Sequence, residues 1–272
     1  MEEGKVKYFI IQLLHKCIIM VIRMAQAIKD PIVQLVELEN DILYQEYAND
    51  KQPEYAYIKG DIPILISAPH GAAHTREGSI KEEDEYTAGL ARLIGNRTGA
   101  HVIYARRKSR TDPNADTLAP YKQKLLQIVQ ENKIIFVLDL HGANKDRDFG
   151  IALGTMHGKS CSEKEKQIIV RTFEKFGISE TGNGLLRLDD NNQLSGEGSN
   201  HREPIVKFCH RNSISAAQIE INAWLRIPKR REDASAPDKN FMGDQRLIIN
   251  IINALSDIVS SICEEKVVVG NT

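Results

Sequence analysis

The stretch Ile134-Ile135-Phe136-Val137-Leu138-Asp139-Leu140-His141-Gly142 decides how this chain reads. Its apolar residues lack the 3.6-residue spacing of an amphipathic helix, so residues 134–140 read as a buried strand that ends on polar groups. Strands buried on both faces belong to parallel sheets with helices on either side. Upstream, Ile62–Ala68 is a second run of this kind. Residues 82–96 place Tyr86, Leu90, Leu93 and Ile94 on one helical face. Residues 101–105 read as strand and 121–132 as helix. Downstream come strands at 149–153, 185–188 and 214–221 and helices at 163–176 and 203–211. A long helix at 240–263 carries Leu247, Ile248, Ile251, Leu255, Ile258 and Ile262 at helical spacing. This alternation predicts a single α/β domain, a mostly parallel sheet with helices on both faces. Residues 46–272 form that domain and residues 1–45 a helical extension. Ligands of such sheets bind at the carboxyl ends of the strands.

A formal net charge of −1 over 272 residues gives no electrostatic case for nucleic acid or an anionic membrane. The basic clusters Arg106-Arg107-Lys108 and Lys229-Arg230-Arg231 read as solvated loops. Cys17, Cys161, Cys209 and Cys263 form no CxxC pair, which argues against a cysteine zinc knuckle or a disulfide framework and fits a reducing cytoplasm. Residues 8–22 are apolar, but His15 and Lys16 interrupt them. The segment falls short of the roughly 20 residues a bilayer span needs and lacks a signal-peptide cleavage site. It reads as an amphipathic or buried helix, with a peripheral membrane segment as the alternative and Met20 or Met24 as alternative starts. No transmembrane segment is expected.

Two strands end alike, Ile62–Ala68 on Pro69-His70-Gly71 and residues 134–140 on His141-Gly142. Glycine permits a sharp exit and a close ligand. One histidine at a strand end is ordinarily structural. Two in matching context, at one edge of one sheet, point to a catalytic zinc site, which takes three protein ligands and keeps one position open. Asp139 lies two residues before His141 and faces the same side, placed to orient a ligand. In Gln218-Ile219-Glu220-Ile221-Asn222 the polar residues share one face. A carboxylate inside an apolar strand is costly without a partner or a task. Glu220 is therefore a candidate general base, the alternative being an edge strand with a solvated polar face.

Together these segments resemble the N-formylglutamate amidohydrolase family. The resemblance rests on Ser67-Ala68-Pro69-His70-Gly71, Asp112-Pro113-Asn114, Asp139-Leu140-His141-Gly142 and Gln218-Ile219-Glu220-Ile221-Asn222 followed by Arg226. It runs from about Ile62 to Arg226. That family is related in fold to zinc carboxypeptidases and poly-γ-glutamate hydrolases. The resemblance implies a mixed, mostly parallel sheet, a zinc on two histidines and one carboxylate, and hydrolysis of an amide next to a carboxylate.

The expected ligands of one zinc per chain are His70, Glu77 and His141. Glu77 follows the first histidine closely, as in carboxypeptidase-like sites. Asp84, on the expected helix, is the alternative, and His74 also competes. The expected chemistry is water activation at the zinc. Glu220 takes the proton and returns it to the leaving amine, and an arginine helps with the oxyanion. Arg110, Asn114 and Arg226 are candidates to hold a substrate carboxylate, because guanidinium pairs with it bidentately. The expected substrate is a small N-formyl or N-acyl amino acid or a short peptide. A γ-glutamyl or cell-wall peptide hydrolase and a non-catalytic small-molecule binder are the alternatives.

Overall fold

The computed structural model describes residues 29–269 apart from 50, 191, 193 and 200, so the apolar segment at 8–22 lies outside the described residues. The strands are, in chain order, β1 (Leu43–Tyr47), β2 (Tyr55–Ile58), β3 (Ile62–Ala68), β4 (His74–Arg76), β5 (Ser79–Lys81) and β6 (Ala100–Ala105). They continue with β7 (Arg107–Lys108), β8 (Phe136–Ala143), β9 (Phe149–Gly154), β10 (Gly184–Asp190) and β11 (Ser215–Asn222). One seven-stranded sheet has the order β10-β9-β11-β8-β3-β6-β2. Pairing is parallel at β10–β9, β11–β8, β8–β3 and β3–β6 and antiparallel at β9–β11 and β6–β2. The sheet is therefore mixed and mostly parallel, as the sequence predicts.

The helices are α1 (Pro31–Glu39), α2 (Thr87–Thr98), α3 (Pro120–Asn132), α4 (Glu163–Lys175), α5 (Ile205–Arg211) and α6 (Gln245–Val269). Side chains alternate across the sheet. Ile64, Ile66, Phe136, Leu138 and Leu140 pack with residues of α1, α2, α4 and α6. Leu65 and Val137 face the other way, onto Tyr121, Leu125 and Ile128 of α3 and Phe208 and Cys209 of α5. Both faces of the central strands are thus covered, which is why they carry unbroken apolar runs. Residues 245–266 are long and apolar enough to cross a membrane, with a hydropathy of 1.5. Yet Ile248, Ile251, Leu255, Ile258 and Ile262 of this helix are buried in the core.

Two expected boundaries change. The helix expected from residue 82 begins at Thr87. Tyr86 adopts a left-handed conformation with φ 66°, and the acidic run before it is drawn into separate contacts. Glu83 accepts from Gln45 and Ser235, and Glu85 from Arg230. Glu39 of α1 caps the helix instead, accepting from Tyr86 N at 2.9 Å and Gly89 N at 2.6 Å. Leu35, Ile42 and Tyr44 are fully buried in the same core. A division at residue 45 therefore finds no counterpart among the described residues.

Candidate metal centre

Strands β3, β8 and β11 lie side by side, and their register aligns the polar positions. Ser67 pairs with Asp139, Asp139 with Gln218, and His141 with Glu220. The exits of β3 and β8 bring His70 and His141 to one edge, with ring centroids 4.9 Å apart. The loop before α2 returns to this edge, where Asp84 N donates to His70 O at 2.8 Å. Asp84 Oδ2 then lies 3.5 Å from His70 Nδ1 and 3.4 Å from His141 Nδ1. One ligand atom from each of these residues falls within 4.8 Å of the others.

The far nitrogens are already occupied. His70 Nε2 lies 3.0 Å from Asp112 Oδ1, and His141 Nε2 lies 2.9 Å from Asp139 Oδ2. An ionised carboxylate only accepts, so each Nε2 carries a proton, and each Nδ1 is the ring nitrogen that a metal would take once its own proton is lost. Ligands on a tetrahedral zinc at ~2.0–2.1 Å are separated by about 3.3 Å. The 3.4–3.5 Å separations here match such an edge better than a direct ion-pair contact. The donor set therefore fits zinc.

Without a metal, these groups stabilise one another's charges. Burial raises Asp84, but hydrogen bonds to His141 and His70 outweigh it and hold its carboxyl far below the usual range. Burial lowers both histidines, yet contacts with Asp112 and Asp84 raise His70, and those with Asp139 and Asp84 raise His141 well above its usual value. His70, His74 and Asp112 also meet the spacing for a metal. However, Asp112 Oδ1 already accepts from Asn114 N and Ala115 N, and Oδ2 from Arg76 Nε. His74 stacks on His70 at 4.1 Å, and burial and the His70 charge push it down to about 3. This second group is a supporting layer for the first.

Glu77 is not brought to this centre, which corrects its expected place there. It sits at the tip of the β4–β5 hairpin, where positive φ at Glu77 (51°) and Gly78 (76°) suits a two-residue turn. Its carboxylate points outward and pairs with Arg202 Nη2 at 2.7 Å. The substrate candidates separate likewise. Asn114 lines the cleft, but its Oδ1 accepts from Ile205 N at 2.8 Å. Arg110 stacks on Tyr47 at 4.7 Å, away from the cleft lining. Arg226 is buried and bonded to backbone carbonyls of Ile221, Glu85 and Ala143, so it does not line the cleft either. The glycines serve the chain's own packing. A Cβ on Gly71 would lie 2.7 Å from Ala88 Cβ.

An open cleft of about 780 Å³ lies over the three candidate ligands, lined also by Arg76, Lys81, Leu194, Arg202, Gln218 and Glu220. Glu220 is partly buried, and Gln218 Nε2 donates to its Oε1 at 2.9 Å. Burial raises its pKa, with Asp84 adding to the effect against His141. Sequence reasoning missed Arg76 and Arg202, which nothing in their local pattern marks out.

No protein-family model and no curated protein sequence matches this chain. Among solved structures it resembles an N-formylglutamate amidohydrolase from Ralstonia eutropha. The TM-score is 0.54 at 14% identity, covering 78% of this chain and 99% of that one. A gene product of Agrobacterium tumefaciens aligns at TM-score 0.50 and 12% identity, covering 79% of this chain and 98% of that one. At such identities the likeness establishes the fold.

Proposed function

We propose that this chain is a zinc-dependent hydrolase that cleaves an N-formyl or N-acyl amide of a carboxylate-bearing amino acid such as N-formylglutamate. The observation that carries this reading is the convergence of His70 Nδ1, His141 Nδ1 and Asp84 Oδ2 beneath a cleft that also holds Glu220. When bound, zinc supplies Lewis acidity that polarises a carbonyl and acidifies water. Asp112 and Asp139 fix the histidine rings. Glu220 accepts a proton from water as its oxygen attacks the amide carbon, and returns it to the departing nitrogen. Gln218 occupies one Glu220 oxygen and leaves the other for this transfer. Arg76, Lys81 and Arg202 line the cleft and attract a substrate carboxylate in place of Arg110 and Arg226. Cys161, Cys209 and Cys263 are free thiols, which suits a cytoplasmic setting.

The cleft's 780 Å³ leaves room beyond a single acyl amino acid, which favours a γ-glutamyl or cell-wall peptide hydrolase as the second reading. Zinc-loaded protein incubated with N-formylglutamate, N-acetylglutamate and γ-glutamyl peptides separates them. Release of glutamate from the formyl or acetyl compound is expected. Cleavage of the peptides alone would transfer the assignment to the second reading. Zinc-loaded protein that cleaves none of them would support a non-catalytic binder.

A further inference from the structure

We propose that Arg226 is a positioning residue whose buried guanidinium ties together the three backbone segments that carry Asp84, His141 and Glu220. The inference rests on the reading of His70, Asp84 and His141 as metal ligands. Nε donates to the carbonyl of Ile221, the residue after Glu220, at 3.1 Å. Nη2 donates to the carbonyl of Ala143, two residues beyond His141, at 3.3 Å. Nη1 donates to the carbonyl of Glu85, the residue after Asp84. The first two segments are neighbours in the sheet, but Asp84 arrives on a loop that belongs to no strand. Its position relative to His141 is thus set from outside the ladder, and Arg226 spans that gap.

The planar fork holds its donors in fixed directions spread over the width of the guanidinium, which suits three carbonyls on three segments, whereas an ammonium is a point charge on a flexible stem. Arg226 is 5% exposed, and the charges of Asp84 and Glu85 offset part of the cost of burying it. Gly142 provides the space. A Cβ there would lie 2.6 Å from Nη2 and 2.7 Å from Cζ and Nε of Arg226. Gly142→Ala therefore displaces the guanidinium without changing its donors.

The test measures zinc affinity by chelator competition, and unfolding midpoints, for wild type, Arg226→Lys and Gly142→Ala. Phe173→Leu, a fully buried change on α4, is the control for lost stability. Arg226→Lys and Gly142→Ala are each expected to weaken zinc binding by about tenfold or more, as loss of groups supporting a ligand does. Phe173→Leu should melt earlier with unchanged zinc affinity. Arg226→Lys and Gly142→Ala proteins that melt earlier yet bind zinc like wild type would overturn the proposal. Should Arg226→Lys not fold, Gly142→Ala decides. Hydrogen exchange on the metal-free proteins gives an independent readout. Faster exchange at amides 85–87 and 143–144 is expected, and unchanged exchange there overturns the tie even if wild type binds no zinc, an outcome that would sink the metal-centre reading separately.

Discussion

Glu220→Gln keeps the shape and reach of the side chain and removes its charge and its proton-accepting oxygen. If Glu220 transfers the proton, turnover should fall by roughly 10²–10⁴-fold, or about 2.7–5.5 kcal/mol of barrier. Stability should move the other way. Burial raises the pKa of Glu220 in the metal-free protein. A group whose folded pKa lies above its unfolded value contributes stability below the unfolded pKa and loses it as pH rises through the folded one. At neutral pH the metal-free wild type carries that penalty and Glu220→Gln does not, so the variant should melt no earlier. The pH–rate profile offers a third check. The base works only when ionised, so wild-type activity should fall with decreasing pH on an acidic limb, and the variant should lack that limb. Turnover, zinc content and melting temperature on one preparation test all three. A variant that melts earlier yet turns over normally would remove Glu220 from the mechanism and leave it as a structural partner of Gln218.

Asp139→Asn should weaken zinc binding about 10–100-fold, because His141 Nε2 loses its anionic partner; chelator competition measures it, and unchanged affinity would contradict that role. Glu39→Ala leaves Tyr44 Oη and the amides of Tyr86 and Gly89 without their acceptor. At about 1–3 kcal/mol per orphaned group, offset by no longer burying a carboxylate, the loss should be about 3 kcal/mol in denaturant unfolding. Chelation of zinc-loaded wild type should lower its melting temperature. Zinc at a hundredfold above its Kd stabilises by about 2.7 kcal/mol, and Asp84→Asn should show no such shift.

The central strands were legible in the sequence because both faces of Ile64–Ile66 and Phe136–Leu138 are covered, which demands apolar residues at successive positions. The histidines were legible because His70 comes just after β3 and His141 sits near the carboxyl end of β8, each next to an apolar run. The acidic partner was not, since Glu77 and Asp84 differ by a short hairpin. All three residues of β5 are exposed, so its pattern is that of a loop. A left-handed Tyr86 and a cap supplied by the distant Glu39 then moved the helix start. The side chain of Arg226 was misjudged because local sequence does not say whether a guanidinium faces a cleft or three carbonyls. The contact of Asp112 with His70 spans 42 positions, and only the fold brings the two together.

Elemental analysis of purified wild type, Asp84→Asn and Glu77→Gln tests the metal centre most directly. About one zinc per chain is expected in wild type and in Glu77→Gln, whose side chain pairs with Arg202 at the hairpin tip. Asp84→Asn should lose the metal, because a neutral amide replaces the anionic ligand between two histidines. Full occupancy in Asp84→Asn, or loss of zinc in Glu77→Gln, would contradict the assignment.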